Sequence, residues 1–552
     1  MAIISTLVQS LAFITPMATM ATLLTLFISY ISYQTYIYPT YFSPLRHIPG
    51  PRNKSQHNKH NIPFLGLFFD VIRREAGVTF REWTEQYGGI VCFLGLFNKQ
   101  TIHIADPEAI QHVFGTHAYK YRKPDRVVRV LGSAFGMGLV MVEGDTHRKM
   151  RKMINPAFSY NCIKEMVPDM INPSAFLGRM WERRIEGAEG KSIEMDVLPD
   201  LSACALDIIG LVGFGFDMEA LARPGNDVAE AYNEYFSSKA PALLQFCRHY
   251  VPYYTKLPIK HNQDRVKTIQ SIERIAHQII REKRTQAAVS VKGDQAKDLI
   301  SILIRASDES SDGYTLTDKD LVEQIKTFIG AGHETSSSAM AWMLHILSTH
   351  QDVQRKLRQE MLDHIGRPTD KNTKTILSYD SLHALPYLNV CIKELLRVIP
   401  PVPATTRVAS QDDVILGYHI PKGTEIYLSP ATLHKLKSVW GEDAEEFKPE
   451  RWMDPSSLTE EQRRNTRTVT PDMLWAYLPF LTGPRNCIGS KLSLMEMKVM
   501  LYYLLINLEY HPVPGFKFRK SSRITTRPSP GMNLIVKPFN DASERLVESM
   551  EL

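Results

Sequence analysis

Residues 480–489 read Phe480-Leu-Thr-Gly-Pro-Arg-Asn-Cys487-Ile-Gly489. Two glycines, Gly483 and Gly489, bracket this loop, and an apolar run from Ile488 to Ile506 follows. Glycine lets a backbone turn where a Cβ would block it. The apolar run reads as a helix, so Cys487 stands just before a helix N-terminus. Free N–H groups and the positive dipole end favour an anion there, and a thiolate in that place is a ready metal ligand. Arg485, two residues earlier, can face a bound carboxylate. An isolated cysteine is more often a buried apolar side chain than a ligand; the ten-residue pattern outweighs that reading here.

Working outward, Pro386–Val398 predicts a helix, with proline at a first helical position and Pro400-Pro401 stopping it. Glu394 and Arg397 are three apart on that helix and share a face, weak evidence alone because exposed pairs at this spacing contribute little. Asp318–Leu347 predicts one long helix, opened by Thr317 as N-cap. Gly330 and Gly332 lie inside it, although each glycine costs roughly 1 kcal/mol against alanine in a helix. Either they are tolerated in a buried helix, or they leave room over a ligand. A fourth stretch, Gly144–Phe158, carries His147 and Arg151 in a basic run.

These motifs, in this order, resemble those of the cytochromes P-450, and the resemblance extends from about Pro49 to near Pro538. It implies that Cys487, in the loop opened by Phe480, is the axial thiolate ligand of the iron of haem b (iron protoporphyrin IX). It implies that Arg485, Arg151 and Arg407, the last following Pro401-Val-Pro-Ala-Thr-Thr, bind the haem carboxylates by charge-assisted hydrogen bonds. His147 stands where tryptophan often stands in that family, a departure at a further carboxylate contact. Each arginine alone reads equally as a solvated charge. Glu394, Arg397 and Arg451, the last in Pro449-Glu-Arg451-Trp452, are implied to fix the core behind the haem. Glu334 and Thr335, in Ala331-Gly-His-Glu-Thr-Ser336, are implied to be the acid–alcohol pair that delivers protons to iron-bound oxygen.

The chain has 552 residues, 65 Lys plus Arg against 59 Asp plus Glu, and a net charge of +6. That modest excess, without a clustered basic-aromatic pattern, argues against nucleic-acid binding. Cysteines 92, 162, 204, 247, 391 and 487 show no disulfide-like spacing, as expected in a reducing compartment. The first 45 residues contain no Asp, Glu, Lys, Arg or His. Within them Leu11–Tyr33, kinked at Pro16, is long enough to span a bilayer core of ~30 Å. A secretory signal peptide fits worse, since the stretch is too long and lacks a basic start. Arg46, His47, Arg52, Lys54 and Lys59 follow and stay cytosolic by the positive-inside rule. The expectation is a membrane anchor over 1–45 and one catalytic domain over 46–552, facing the cytosol from the endoplasmic reticulum. The sequon Asn53-Lys-Ser55 would then be unused, and Pro44, Pro49, Gly50 and Pro51 would form a stiff hinge.

Gly89–Phe97, Gln100–Ala105, Val414–Ile420 and Thr424–Leu428 read as strands, and Glu143–Glu360 as almost wholly helical. Lys292–Gln295 and Asp308–Gly313 read as loops, and Pro455–Pro471 as a polar insertion. The fold class expected is mainly α with small β-sheets, which agrees with the cytochrome P-450 fold that the resemblance implies, preceded by an N-terminal transmembrane helix. The resemblance implies a pocket lined from Arg126–Met141, Tyr232–Phe246, Gly330–Thr335, Pro401–Thr406 and Thr525–Ser529. Its apolar side chains (Val127, Leu131, Phe135, Leu139, Ile329, Val402) suit a lipophilic small molecule such as a terpenoid. With no flavin or nicotinamide domain in the chain, electrons would come from an NADPH–cytochrome P-450 reductase, with cytochrome b5 as a second donor. Arg148, Lys149, Lys152 and Lys491 are candidates for the docking face, or ordinary surface charges. The readings set against monooxygenation are an isomerase or dehydratase on the same scaffold, and a haem-binding sensor without turnover.

Overall fold

The computed structural model describes residues 18–51, 64–188, 190–223, 244, 247–248, 250–251, 253–289, 298–308, 315–367, 377–522 and 524–539. In chain order the elements that matter here begin with helix α1 (Val78–Tyr87), strands β1 (Ile90–Leu94) and β2 (Gln100–Ile104), and helices α2 (Asp125–Phe135), α3 (Gly144–Ile154) and α4 (Tyr160–Gly187). Strand β3 (Ile193–Asp196) precedes helices α5 (Leu198–Phe214), α6 (Lys260–Val289), α7 (Asp318–Thr349) and α8 (Pro386–Val398). Strands β4 (Thr405–Ala409), β5 (Asp413–Ile415), β6 (Tyr418–Ile420) and β7 (Glu425–Leu428) come next. Helix α9 (Ser490–Leu505) and strands β8 (Leu508–Pro512), β9 (Arg519–Ser522), β10 (Thr526–Ser529) and β11 (Asn533–Pro538) close the described chain. By contact these residues group into two compact units, Met1–Tyr121 with Thr405–Ser429, and Arg122–Ala404 with Pro430–Leu552.

In the first unit, β1 and β2 are antiparallel, with Ile90 opposite Ile104. Strand β2 runs parallel to β7, with Thr101 opposite Glu425, and β7 is antiparallel to β4. Alternate apolar side chains gather against α1, where Phe80, Trp83 and Phe93 form a small core and Tyr427 stacks on Phe80 at 4.4 Å. Val414–Ile420, expected as one strand, is a hairpin of β5 and β6. Leu416 and Gly417 take φ of 50° and 80°. Positive φ at both central positions makes the tight turn that suits a two-residue hairpin, so the alternation breaks at Leu416–Gly417.

The expected membrane-spanning helix over Leu11–Tyr33 is not met by the described chain. Residues 18–32 are α-helical, and Tyr33–Phe42, which includes Pro39, is a π-helix. Among the described residues no helix is long and apolar enough to cross a membrane. Residues 11–17, Pro16 among them, lie outside the described residues, as do Asn53 and Ser55 of the sequon. The helical stretch is exposed, with Leu23, Leu24, Phe27 and Ile28 all more than half accessible.

The second unit is the helical mass. Helix α7 opens with a capping box in which the Asp320 N–H donates to Thr317 Oγ1 and the Thr317 N–H donates to Asp320 Oδ2. It ends two residues beyond the expected Leu347. It is buried on nearly all sides, which is how a central helix reads when its neighbours wrap it. Ile325, Met340 and Leu344 of α7, Leu201 and Leu206 of α5, Leu177 and Trp181 of α4, and Leu501 and Leu504 of α9 belong to one continuous core. Helix α8 has the expected bounds. The stretch Glu143–Glu360, expected as almost wholly helical, also contains β3, which pairs with β11 in an antiparallel sheet completed by β8. The insertion at 455–471 contains a short capped helix, Glu460–Asn465. Lys292–Gln295 and most of Asp308–Gly313 lie outside the described residues.

Candidate active site

Three structures of the second unit hold the candidate residues: the cysteine loop, the Glu394 cluster and the middle of α7. The loop closes on itself, since the Cys487 N–H donates to Phe480 O at 2.9 Å and the Asn486 N–H to Gly483 O at 3.1 Å. Leu481 and Gly483 have φ of 58° and 75°, and here glycine supplies the turn the motif needs. Gly489 caps α9, so the helix starts at Ser490, two residues after the predicted start. Cys487 is an exposed residue. Desolvation by the surrounding protein pushes its thiol up, while a Gly489 backbone hydrogen bond and the positive charge of Arg151 pull the other way.

Arg151 holds this loop from α3. Its guanidinium donates to Asn486 O at 2.7 Å, to Asn486 Oδ1 at 2.9 Å and to Asn155 Oδ1 at 2.8 Å. Arg485 forms an ion pair with Glu143 and donates to Val142 O at 2.7 Å. Burial opposes ionisation of Glu143, but Lys123 and Arg485 outweigh it and hold that carboxyl below its usual range. His147 is buried beside these cations. Desolvation, then Arg485, Lys123 and Arg151, lower its pKa to about 4, so it is neutral near pH 7. Glu143 and Asn486 were not foreseen. Both partnerships span more than 300 residues, and no local pattern announces them.

The brace is the cluster of Glu394, Arg397 and Arg451, each fully buried. Arg397 makes a bidentate fork on Glu394, both bonds 2.8 Å, and Arg451 Nε adds a bond of 3.0 Å. Trp452 Nε1 and the Lys448 N–H complete the carboxylate's shell. Arg397 Nη1 also donates to His434 O at 2.7 Å, and His434 Nε2 accepts the Leu478 N–H at 2.8 Å. Leu478 lies two residues before Phe480, so the cluster reaches the entry of the cysteine loop through one histidine.

On α7, Glu334 is 1% exposed. Thr525 Oγ1 donates to its Oε1 at 2.8 Å and Arg527 Nη1 lies 3.4 Å from its Oε2. Burial raises its pKa against the opposing effects of Arg527 and Thr525. Thr335 Oγ1 donates back to Ala331 O at 2.7 Å, along its own helix. One residue on, Ser336 donates to Glu496 Oε2 of α9 at 2.6 Å; burial pushes that carboxyl up to about 8. The neighbouring His333 is paired with Ser202 at 2.8 Å and lowered by burial to about 3. Space beside Gly330 and Gly332 is filled by protein: a Cβ would stand 2.9 Å from Phe135 and 3.1 Å from Ile209. The two glycines therefore admit side chains from α2 and α5, rather than simply leaving room. Arg407 belongs to the first unit. It is buried on β4, bonds to Thr405 Oγ1 and Thr406 O at 2.8 Å each, and lies over the Phe114 ring.

A family model described as Cytochrome P450 matches residues 57–535. The chain belongs to the cytochrome P450 family. It is similar to cytochrome P450 monooxygenase 205 of Postia placenta, 31% identical over 90% of this chain and 94% of the relative. It is also similar to cytochrome P450 monooxygenase sphH of Aspergillus fumigatus, at 30% identity over 85% and 83% of the two chains. Cytochrome P450 monooxygenase FUM15 of Gibberella moniliformis is 28% identical over 86% and 84%. The protein is thus a monooxygenase of a haem-thiolate class, and its residues fit the group. Within this cytochrome P450 Cys487 is exposed while its loop is pinned by Phe480 and Arg151. A soft thiolate donor on a fixed loop is the ligand type that haem iron takes in this class. The outer face of α3 and the start of α9 are basic, with Arg148, Lys149, Lys152 and Lys491 all exposed.

Proposed function

We propose that this cytochrome P450 is a membrane-attached monooxygenase. It inserts one oxygen atom from dioxygen into a lipophilic small molecule, a terpenoid or other secondary metabolite, using electrons from an NADPH–cytochrome P-450 reductase. The observation that carries the reading is the exposed Cys487 on a loop tied to Arg151 and, through His434, to the Glu394 cluster. When bound, haem supplies dioxygen activation, and thiolate donation favours O–O cleavage.

The chain's own residues do the rest. Cys487 offers its sulfur from a loop that cannot readjust without breaking the Asn486 bonds. Arg485, close to the loop and compensated by Glu143, is the candidate for holding a haem carboxylate; Arg151 acts mainly as the loop's clamp. His147, in the same unit, is a further candidate for that carboxylate. Glu334 lies in a dry setting where burial favours its protonated form, and Thr335 follows it in sequence with a hydroxyl that must leave Ala331 O to take part. Phe135, Leu139 and Ile329 are buried and apolar; such a wall excludes water and suits an apolar substrate. Retention of both Glu334 and Thr335 weighs against an isomerase or dehydratase, and against a sensor.

The apolar exposed helix at residues 18–32 supports attachment to the endoplasmic reticulum with the globule in the cytosol. The exposed basic residues of α3 and α9 support reductase docking there. The test is co-expression with a reductase, with the carbon-monoxide difference spectrum and product profiling over terpenes, fatty acids and aromatics. A red-shifted Soret band that vanishes in Cys487→Ser, with NADPH-dependent products, is the expected outcome. An identical spectrum in the serine variant refutes the ligand. Removing residues 1–45 should move the protein toward the soluble fraction; full retention on membranes after high salt refutes the anchor as sole attachment.

A further inference from the structure

Glu334 sits where water scarcely reaches, and an ionised carboxylate there needs compensation. Its partners are not on its own helix. They come from the hairpin of β9 and β10, 191 residues further along. Side chains two apart on an extended chain share a face, so Thr525 and Arg527 reach the acid together. Thr526, between them, ties the hairpin down. Its Oγ1 donates to Pro400 O at 3.1 Å and its N–H to Pro401 O at 2.8 Å, while its carbonyl accepts Trp342 Nε1 of α7 at 2.8 Å. The hairpin is thereby fixed to α7 and to the segment after α8.

The two contacts differ in kind. The Thr525 bond is short and aligned. The Arg527 pair stands at 3.4 Å, and among the described residues neither Arg527 Nη1 nor Glu334 Oε2 makes a hydrogen bond. A carboxyl bonded at one oxygen and only attracted at the other can turn about the first without breaking a bidentate fork.

We propose that Thr525 and Arg527 are positioning residues for Glu334: the C-terminal hairpin, and not α7 itself, sets where this carboxyl points and when it carries its proton. Thr525 is the pivot. Arg527 is the charge that opposes protonation of the acid. The nearest titratable neighbour on α7, His333, is held neutral by burial and adds no competing charge. This inference rests on reading Glu334 as the proton carrier.

The test uses the full-length, haem-loaded enzyme. Isotope-edited infrared spectra of the resting protein, with Glu334→Gln as blank, follow the Glu334 carboxyl across pH. Arg527→Gln should move its midpoint up by about one to three pH units, the range for losing an opposite charge at close range. Arg527→Lys should restore most of it. Thr525→Val should move the C=O band itself to higher frequency, since a hydrogen bond to that oxygen is lost. A midpoint unchanged in Arg527→Gln overturns the proposal, and so does an unchanged band in Thr525→Val, which stands in if the arginine variant fails to fold. Peroxide released per NADPH in Glu334→Gln checks the reading beneath. A shifted midpoint in Arg527→Gln with an unchanged peroxide ratio in Glu334→Gln upholds the positioning role and refutes proton delivery by Glu334.

Discussion

Two buried carboxylates in the same unit, Glu394 and Glu334, are treated in opposite ways. Glu394 receives five hydrogen bonds, two from Arg397 and one each from Arg451, Trp452 and the Lys448 N–H. Glu334 receives one hydroxyl hydrogen bond and a misaligned cation. A charge removed from water is tolerable only when its lone pairs are satisfied. The first carboxylate meets that condition fully and is locked; the second meets it in part and keeps freedom to move. Saturated polar clusters rigidify, and incomplete ones mark places where strain or chemistry is kept. The same protein uses the first arrangement to hold the cysteine loop and the second beside the hydroxyl of Thr335.

The contrast can be broken most severely at Arg397. Arg397→Ala leaves Glu394 buried with part of its shell missing, at a cost of about 3–5 kcal/mol. Thermal unfolding should show a large loss of stability and the purified protein should hold little haem. A variant with wild-type melting and haem content would show that the cluster is not the brace described.

Glu496 is the least compensated of the three, with one oxygen bonded to Ser336 and Oε1 without a hydrogen bond among the described residues. Its folded carboxyl titrates near about 8 against a reference value of 4.5. A raised acid pKa means that the folded state binds the extra proton. Its stabilising effect is therefore full below pH 4.5 and is lost as pH rises toward 8. Glu496→Gln should flatten that slope, removing a loss of a few kcal/mol across the window. Denaturant midpoints measured at several pH values decide it, and parallel pH profiles for the two proteins would contradict the assignment.

At the open site the expected change is in chemistry and not in stability. Thr335→Ala removes a back-bonded hydroxyl, so melting should stay close to wild type while peroxide per NADPH rises several-fold. An unchanged ratio would take Thr335 out of proton delivery. The smallest effect is expected at the surface, where charges are solvated and act mainly on encounter rates. Replacing Lys149 and Lys152 together by alanine should slow reduction by the reductase by roughly two- to threefold at low salt, converging with wild type at high salt. Salt-independent rates would remove α3 from the docking face.

Much of the frame was legible in residue order because it rests on local chemistry. Pro386 and Pro400 bound α8, Thr317 caps α7, and Gly483 and Gly489 shape the cysteine loop. The errors also have local causes. Gly489 takes the cap position and so delays α9. The turn at Leu416–Gly417 divides a run whose alternation looked continuous, and β3 hides between two strong helices. What no window of sequence reveals is pairing over distance: Arg151 with Asn486, Arg485 with Glu143, Glu334 with Thr525 and Arg527. Those partners become visible only when packing has brought the segments together. The glycines of α7 make the same point, since their reason lies in Phe135 and Ile209 on other helices.

The separation between Glu334 and its hairpin has a consequence for how the chain matures. Synthesis is vectorial, so α7 emerges and can begin to pack while Thr525 and Arg527 are still unmade. During that interval the acid has no counterion from the hairpin and stays dry only as a neutral group. Strands that leave the ribosome later therefore finish the wiring of a helix made long before them.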